Sequence, residues 1–506
     1  MTSQPPAPAR FLWPALYLLL ATAGLFAMFQ TWAYDDAYIT YRYAQNLHDG
    51  LGMVYNPGER ILSTTTPLFA LLLAGLRFIF SDTPRTANFI GAASMALGGL
   101  CLGAIFGHFR LPLARWAGLL LYPTAALIVI TTGSEMPLFL ALCLAASLAY
   151  LRGRFGWAGV LMALAVLARG DGLILAALIA LDWLARAFRA EKNLRGVIRS
   201  IPWGGVLGFL GLLTLWVIPA SIYFGSPLPA TLMVKRAQGL LLGEESYTFG
   251  LVRLAKGLAA FPHYWVEAAL ALAGLARVGR RYRRGWFLLA WPLAHGAAYT
   301  LLGVTRYFWY YAPLMPGLLA GVGFALGGNA AQRKESAPHG GQPTPWVVGT
   351  VSPGMAGSLL AGLILIGLFA FQLNDLSRLR ATPDTRYGAF RGVGEWLNAH
   401  VPPGATVATL EVGIMGYFAS PVRVIDFTGL IRPQVTQVFA PGRTFEDAAL
   451  WLAEAYHPEY FVLHDGLFPE LEAGYIRVQC AAVKIVRGAD DGFAQDLIIY
   501  QCETPG

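Results

Sequence analysis

The chain has 506 residues, 56% of them hydrophobic and only 13% charged, where a soluble domain carries roughly 25% charged residues. With a mean hydropathy of +0.52 and apolar residues gathered in long runs, a string of soluble globular domains is excluded, and the unit to count is the membrane span. The formal charge of +8, from 37 basic and 29 acidic residues, follows membrane orientation in such a chain rather than nucleic-acid binding.

A bilayer core about 30 Å thick takes about 20 helical residues to cross. Eleven runs fit, at residues 11–29, 88–109, 116–131, 136–151, 156–168, 173–188, 201–224, 261–276, 286–302, 311–326 and 355–371. The first follows a Pro-rich tail ending in Arg10 and has no small-residue cleavage site, so it reads as an uncleaved span with a cytoplasmic N-terminus. The apolar segment 67–80 is too short to cross and reads as a re-entrant or interfacial helix. With it left out, seventeen of the 37 basic residues fall on one side, including Arg110, Arg152, Arg186, Arg277, Arg333 and Lys334. That side is expected to be cytoplasmic. The opposite side then receives three long segments, 30–87, 225–260 and everything after about residue 374.

The loop at 328–345, rich in Gly, Gln and Pro, reads as a cytoplasmic linker. Beyond residue 374 the chain loses its long apolar runs and alternates elements. Helices are expected at 387–399 and 445–455, and strands at 406–410, up to Asp426, at 460–463, 476–486 and 497–500. This is a small α/β domain, so the chain divides into a membrane part, 1–373, and an extracytoplasmic domain, 374–506. Of the four cysteines, Cys101 and Cys143 lie in apolar runs, whereas Cys480 and Cys502 are able to pair if their domain is extracytoplasmic.

The segment after the first span carries the strongest chemical signal. It reads Tyr34-Asp35-Asp36-Ala37-Tyr38-Ile39, then Arg42-Tyr43-Ala44, Asn46-Leu47, Gly50 to Arg60, and Thr66-Pro67-Leu68. Two adjacent carboxylates at a membrane exit repel each other and are costly to desolvate. A structural reading has Asp35 cap a helix that runs from Asp36 to Leu47. Capping uses one aspartate and leaves the other unexplained. Neighbouring helical residues face different ways, so at most one of the two points squarely at a substrate.

These motifs resemble the first extracytoplasmic loop of the GT-C superfamily, polytopic glycosyltransferases that take sugars from polyprenyl phosphates. The resemblance is nearest to the arabinofuranosyltransferase branch, which adds terminal arabinose to cell-wall arabinan. Other segments fit the same pattern: Thr132-Gly133-Ser134-Glu135-Met136-Pro137, Arg169-Gly170-Asp171, Gly225 to Thr231 with Lys235, Arg306-Tyr307, Gly413 to Phe418, and Val424 to Pro433. Gly170 and Ala230 depart from it, where Pro and Asn are usual. The resemblance implies a polytopic α-helical GT-C-like membrane protein in the cell (inner) membrane. Its donor would be a polyprenyl-phosphate sugar, and its acceptor an envelope glycan or lipid.

For such a reaction a carboxylate serves as general base to the attacking hydroxyl, and cations hold the departing phosphate. Asp35 is the first candidate for the base and Asp36 the second. Lys235, Arg236 and Arg306 are candidates for the phosphate, with a solvated basic pair as the structural alternative for the first two. Glu135, Arg169, Asp171 and Arg42 are candidate supporting residues, or else internal ion pairs. No cofactor is required. A divalent ion, Mg or Mn, held by Asp35 or Asp36 with Glu135 is compatible with these residue types, but no ligand spacing demands it. The aromatic run Tyr307 to Tyr311 reads equally as an interfacial belt. The rival class is a transporter or flippase, which would place charged or broken helices at mid-membrane.

Overall fold

The structure is a computed structural model that describes residues 7–241, 246–327 and 353–503; the expected linker, with Arg333 and Lys334, lies outside the described residues. Helix occupies each of the eleven apolar runs. Among the described residues, five helices are long and apolar enough to cross a bilayer alone, and a sixth is counted if Tyr247–Ala259 and Pro262–Arg280, bent by 114°, form one span. Met136–Leu151 and Phe155–Ala168 are apolar but shorter. Met136–Leu151 packs against Thr83–His108, Phe155–Ala168 against Trp203–Phe224, and the two pack against each other. Segment 67–80 forms the ten-residue helix Pro67–Leu76, whose Phe69 and Leu73 are buried while Phe78 and Ile79 beyond its end are exposed.

Past the apolar part of its last long helix the chain stays helical to Ala381. The change in composition at 374 therefore comes before the change in structure, because Leu376 still packs inward and Asp375 pairs with His263 at 2.9 Å. The small domain follows: helix Arg386–His400, strands β1 (Thr406–Thr409) and β2 (Arg423–Asp426), helix Phe445–Tyr456, then β3 (Tyr460–His464), β4 (Cys480–Val486) and β5 (Leu497–Cys502). The sheet order is β2-β1-β3-β5-β4. β1 runs parallel to β2 and β3, while β5 is antiparallel to β3 and β4.

Alternating side chains divide the sheet's two faces. Val407, Val424 and Val462 line one core, shared with the first loop, and Ala408, Ile425 and Phe461 line the other, under helix Phe445–Tyr456. One expected strand is shorter than its sequence pattern: residues 472–479 are helical, a conformation that carries Ile476 into the second core, and extended backbone begins only at Cys480. Cys480 and Cys502 sit opposite each other on β4 and β5 and form a disulfide.

The three long segments that the charge count puts on one side pack together. Asn56 of the first loop joins the free edge of β2, donating to Val424 O at 2.8 Å and accepting from Val424 N at 3.0 Å. Glu59 bridges Arg423 and Arg432. From the second segment, Gln238 donates to Thr428 O at 2.8 Å, and Ala230 N donates to Leu62 O at 2.9 Å.

Candidate active site

The helix Asp35–His48 begins one residue earlier than its sequence pattern suggested. Tyr34, in extended conformation (φ −154, ψ 154), is its N-cap and makes no side-chain cap bond. Asp35 therefore does not cap its own helix. Its carboxylate reaches across to the other domain, accepting the N–H of Gly413 at 3.0 Å and of Ile414 at 2.7 Å. Asp35 thus satisfies the open N-terminus of helix Ile414–Phe418. It is buried, and that burial pushes its carboxyl up to about 6, with the Ile414 N–H opposing the rise and Asp36 adding to it.

Asp36 points elsewhere. Its side chain is a third exposed, and Oδ2 lies 3.8 Å from the Nζ of Lys235. Lys235 comes from helix Thr231–Leu241 and is itself buried. Its ammonium sits 3.8 Å above the ring of Tyr307, a cation–π contact, and has no hydrogen-bond partner of ordinary geometry among the described residues. Burial acts to lower the Lys235 pKa, but Tyr307 and Asp36 more than offset it, so the group is held charged. Tyr307 stacks on Trp309 at 4.5 Å, and Tyr34 packs on Phe308 and Trp309 at 5.1 and 5.7 Å. The result is an aromatic wall beside one accessible carboxylate and one unsatisfied cation.

Behind this wall lies a closed ion network. Arg169 pairs with Glu135 at 2.7 Å and Asp171 at 3.1 Å and donates to the Tyr299 hydroxyl at 3.3 Å. Tyr299 in turn donates to Asp171 at 3.0 Å, and His295 stands 3.9 Å from the same carboxylate. The loop that presents Glu135 turns at Gly133, whose φ is +94. The Tyr41 hydroxyl donates to Gly133 O at 2.5 Å.

The sequence candidates thus separate. Asp36 and Lys235 meet, with Arg169, Glu135 and Asp171 forming a self-satisfied layer behind them. Arg236 is exposed on the same helix as Lys235. The Arg306 side chain lies along Gly250 of helix Tyr247–Ala259. Arg42, fully buried, donates to the carbonyls of Tyr55 (2.9 Å), Val422 (2.6 Å) and Gly416 and stacks over the Tyr55 ring. It ties the first loop to the small domain. Both Asp35 oxygens accept backbone N–H groups and Glu135 Oε1 accepts from Arg169, and no group of three or more His, Cys, Asp or Glu placed to hold a metal occurs among the described residues. The set Asp35, Asp36 and Glu135 therefore does not fit a metal centre.

Sequence reading passed over Glu411, assigning it no role. It follows β1 and faces the first loop, where burial and the Asp35 carboxylate push its carboxyl up to about 8, opposed by Arg386. The signal available was its place at the carboxyl end of a parallel strand, where such sheets put functional groups.

Comparisons with known proteins match this architecture. The crystal structure of ArnT from Cupriavidus metallidurans bound to undecaprenyl phosphate superposes with a TM-score of 0.58 at 13% identity, covering 96% of this chain and 98% of that one. This chain has the GT-C fold. The apo form of the same ArnT gives a TM-score of 0.56 at 13% identity, over 97% of this chain and 98% of that one. The oligosaccharyltransferase of Archaeoglobus fulgidus gives 0.54 at 15% identity, over 91% of this chain and 69% of that one. At such identities the likeness is one of fold. Residues 379–496 match a family model described as a domain of unknown function (DUF8728). No curated protein matches the chain.

Proposed function

We propose that this GT-C protein is an inverting glycosyltransferase that moves a sugar from a polyprenyl phosphate to an acceptor hydroxyl on the extracytoplasmic face. The observation that carries the reading is the Asp36–Lys235 pair: a partly exposed carboxylate 3.8 Å from a buried, unsatisfied ammonium. In one displacement, Asp36 takes the proton of the acceptor hydroxyl as its oxygen bonds to the anomeric carbon. The bond from that carbon to the phosphate oxygen breaks, and the lipid phosphate leaves with its charge on Lys235. Tyr307 and Trp309 line the sugar. Asp36 thereby replaces Asp35 as first choice for the base, because both Asp35 oxygens are engaged by backbone N–H groups. No step runs through a metal.

The side of the membrane is supported by the basic residues counted opposite the site and by the Cys480–Cys502 disulfide, a feature of oxidising compartments. The undecaprenyl phosphate bound to ArnT supports a polyprenyl-phosphate donor. Arabinofuranose is the first sugar to try, on the sequence resemblance, with hexoses second. The small domain, packed against the first loop, holds the glycan or lipid acceptor.

The test is to incubate purified protein with a panel of polyprenyl-phosphate pentoses and hexoses and follow release of the lipid phosphate. Lys235→Ala is expected to cut turnover by roughly 10²–10³. Arg236→Ala, which removes an exposed and screened charge, is expected to change it by no more than about twofold. Absence of turnover on every donor, with lipid or glycan moved intact across vesicles instead, makes the protein a transporter or flippase.

A further inference from the structure

The parallel part of the small domain's sheet has a topological switch. From β1 the chain goes to β2 on one side; through helix Phe445–Tyr456 it then enters β3 on the other side of β1. Adjacent parallel strands whose connections leave in opposite directions open a crevice beyond their carboxyl ends, and open α/β sheets bind ligands there. Here the two carboxyl ends carry Glu411, just past β1, and His464, the last residue of β3. By strand alternation both lie on the face of Val407 and Val462, which is the face shared with the first loop.

The crevice has unmet hydrogen-bonding capacity. His464 is only 5% exposed, yet neither ring nitrogen has a partner among the described residues. Its Nε2 stands 3.9 Å from Glu411 Oε1, too far for a hydrogen bond. An imidazole brings at least one N–H donor, and a buried one left unsatisfied is uncommon. Phe390 and Phe493 flank the ring at 5.9 and 5.8 Å. Arg386, fixed by Asp384 at 2.7 and 2.9 Å, adds a guanidinium. The Gly413 and Ile414 N–H groups that hold Asp35 lie two and three residues past Glu411, so the crevice opens beside the Asp35-Asp36 corner.

Its charge decides what it takes. Arg386 is paired with Asp384 and Lys235 with Asp36, and the Glu411 carboxyl, pushed up to about 8, is held mostly uncharged. This leaves the Asp35 carboxylate as the net charge, so an anion such as the donor phosphate is disfavoured. A carboxyl, an imidazole and a guanidinium side by side instead match neighbouring hydroxyls, which both donate and accept. We infer that the crevice between the carboxyl ends of β1 and β3 is a subsite for the uncharged sugar residues of the acceptor glycan, with Glu411 and His464 as its hydrogen-bonding groups. This rests on the transferase reading above for its role, but its ligand chemistry is testable without turnover.

The experiment is isothermal titration of the full-length protein, without donor, with a linear arabinofuranose oligosaccharide and with a mannose oligosaccharide. Wild type is expected to bind at least one of them. Glu411→Gln, which keeps shape and replaces the carboxyl with an amide that hydrogen-bonds differently, is expected to weaken it about tenfold while melting no lower than wild type, and His464→Ala to weaken it similarly. With an active acceptor, Glu411→Gln raises the acceptor KM by the same factor and leaves the donor KM in place. The subsite is refuted if neither oligosaccharide binds, or if Glu411→Gln binds as tightly as wild type. Binding without consumption of any lipid phosphosugar overturns the transferase reading and keeps the subsite.

Discussion

The Asp35 carboxylate accepts the backbone N–H of Ile414 at 2.7 Å, joining residues 379 positions apart in the chain. Its neighbour Asp36 turns away to Lys235, as successive helical residues must. The doublet therefore divides its work: one aspartate docks the small domain and the other faces the reaction. Asp35→Asn is expected to cost about 2 kcal/mol by weakening two charge-assisted hydrogen bonds, and to lower activity along with docking. Asp36→Asn is expected to melt like wild type and to lose transfer by roughly 10²–10⁴. Thermal melting and transfer assays on the two variants check this. Full activity in Asp36→Asn, with loss only in Asp35→Asn, would return the base to Asp35.

Gly133 sets the loop that presents Glu135 to Arg169. Its φ is +94, and a Cβ there would meet Asn88 Oδ1 at 2.8 Å and the Tyr41 hydroxyl at 3.0 Å. Asn88 is not free to yield, since its amide donates to Gln30 O and Trp32 O, both at 2.9 Å. Gly133→Ala is expected to destabilise the protein by about 1–3 kcal/mol. Activity should fall further than stability because the first loop shifts with Asn88. Melting and turnover measured together decide it, and an unchanged turnover number in a folded variant would mean that the loop does not position the site.

Much of this was legible in sequence because it rests on local pattern. The apolar runs marked the helices, and short segments ending at Asp426 and Leu463 marked strands of the small domain's sheet. The Asp35-Asp36 doublet stood out because adjacent carboxylates are costly at a membrane exit. What pattern did not carry was direction. One helical step separates a docking aspartate from a reactive one, and only the position of Gly413 and Ile414 shows which is which. Arg42 was marked with the motif, yet its donors are spent on carbonyls of Tyr55, Gly416 and Val422. Glu411 had no motif around it. Its significance depends on the order of strands in the sheet, a long-range property.

The Cys480–Cys502 bridge closes a loop with a sequence separation of 22, for which chain entropy suggests a stabilisation of about 3 kcal/mol. Because β4 is the outermost strand and pairs only with β5, this bridge holds an edge that little else secures. Reductant is expected to make the β4–β5 edge protease-sensitive while leaving the helical part intact, and Cys480→Ser to do the same. Thiol titration gives an independent check. In denaturant without reductant, two of the four cysteines, the buried Cys101 and Cys143, should react, and four reactive thiols would show that the bridge is absent.

The docked carboxylates give the interface a pH dependence of definite sign. Burial raises the Asp35 carboxyl from 3.8 to about 6 and Glu411 from 4.5 to about 8. Between the unfolded and folded values the native state holds more protons than the unfolded chain, so stability falls as pH rises. The contribution is complete below about pH 4 and is lost as pH passes through 6 and then 8. Glu411→Gln removes the upper part of that loss, since the amide has no proton to give up. The variant is therefore expected to gain on wild type in melting temperature between pH 5.5 and 8.5. Melting curves of both proteins across that range provide the measurement. A constant gap between them would mean that Glu411 does not carry an extra proton in the folded protein.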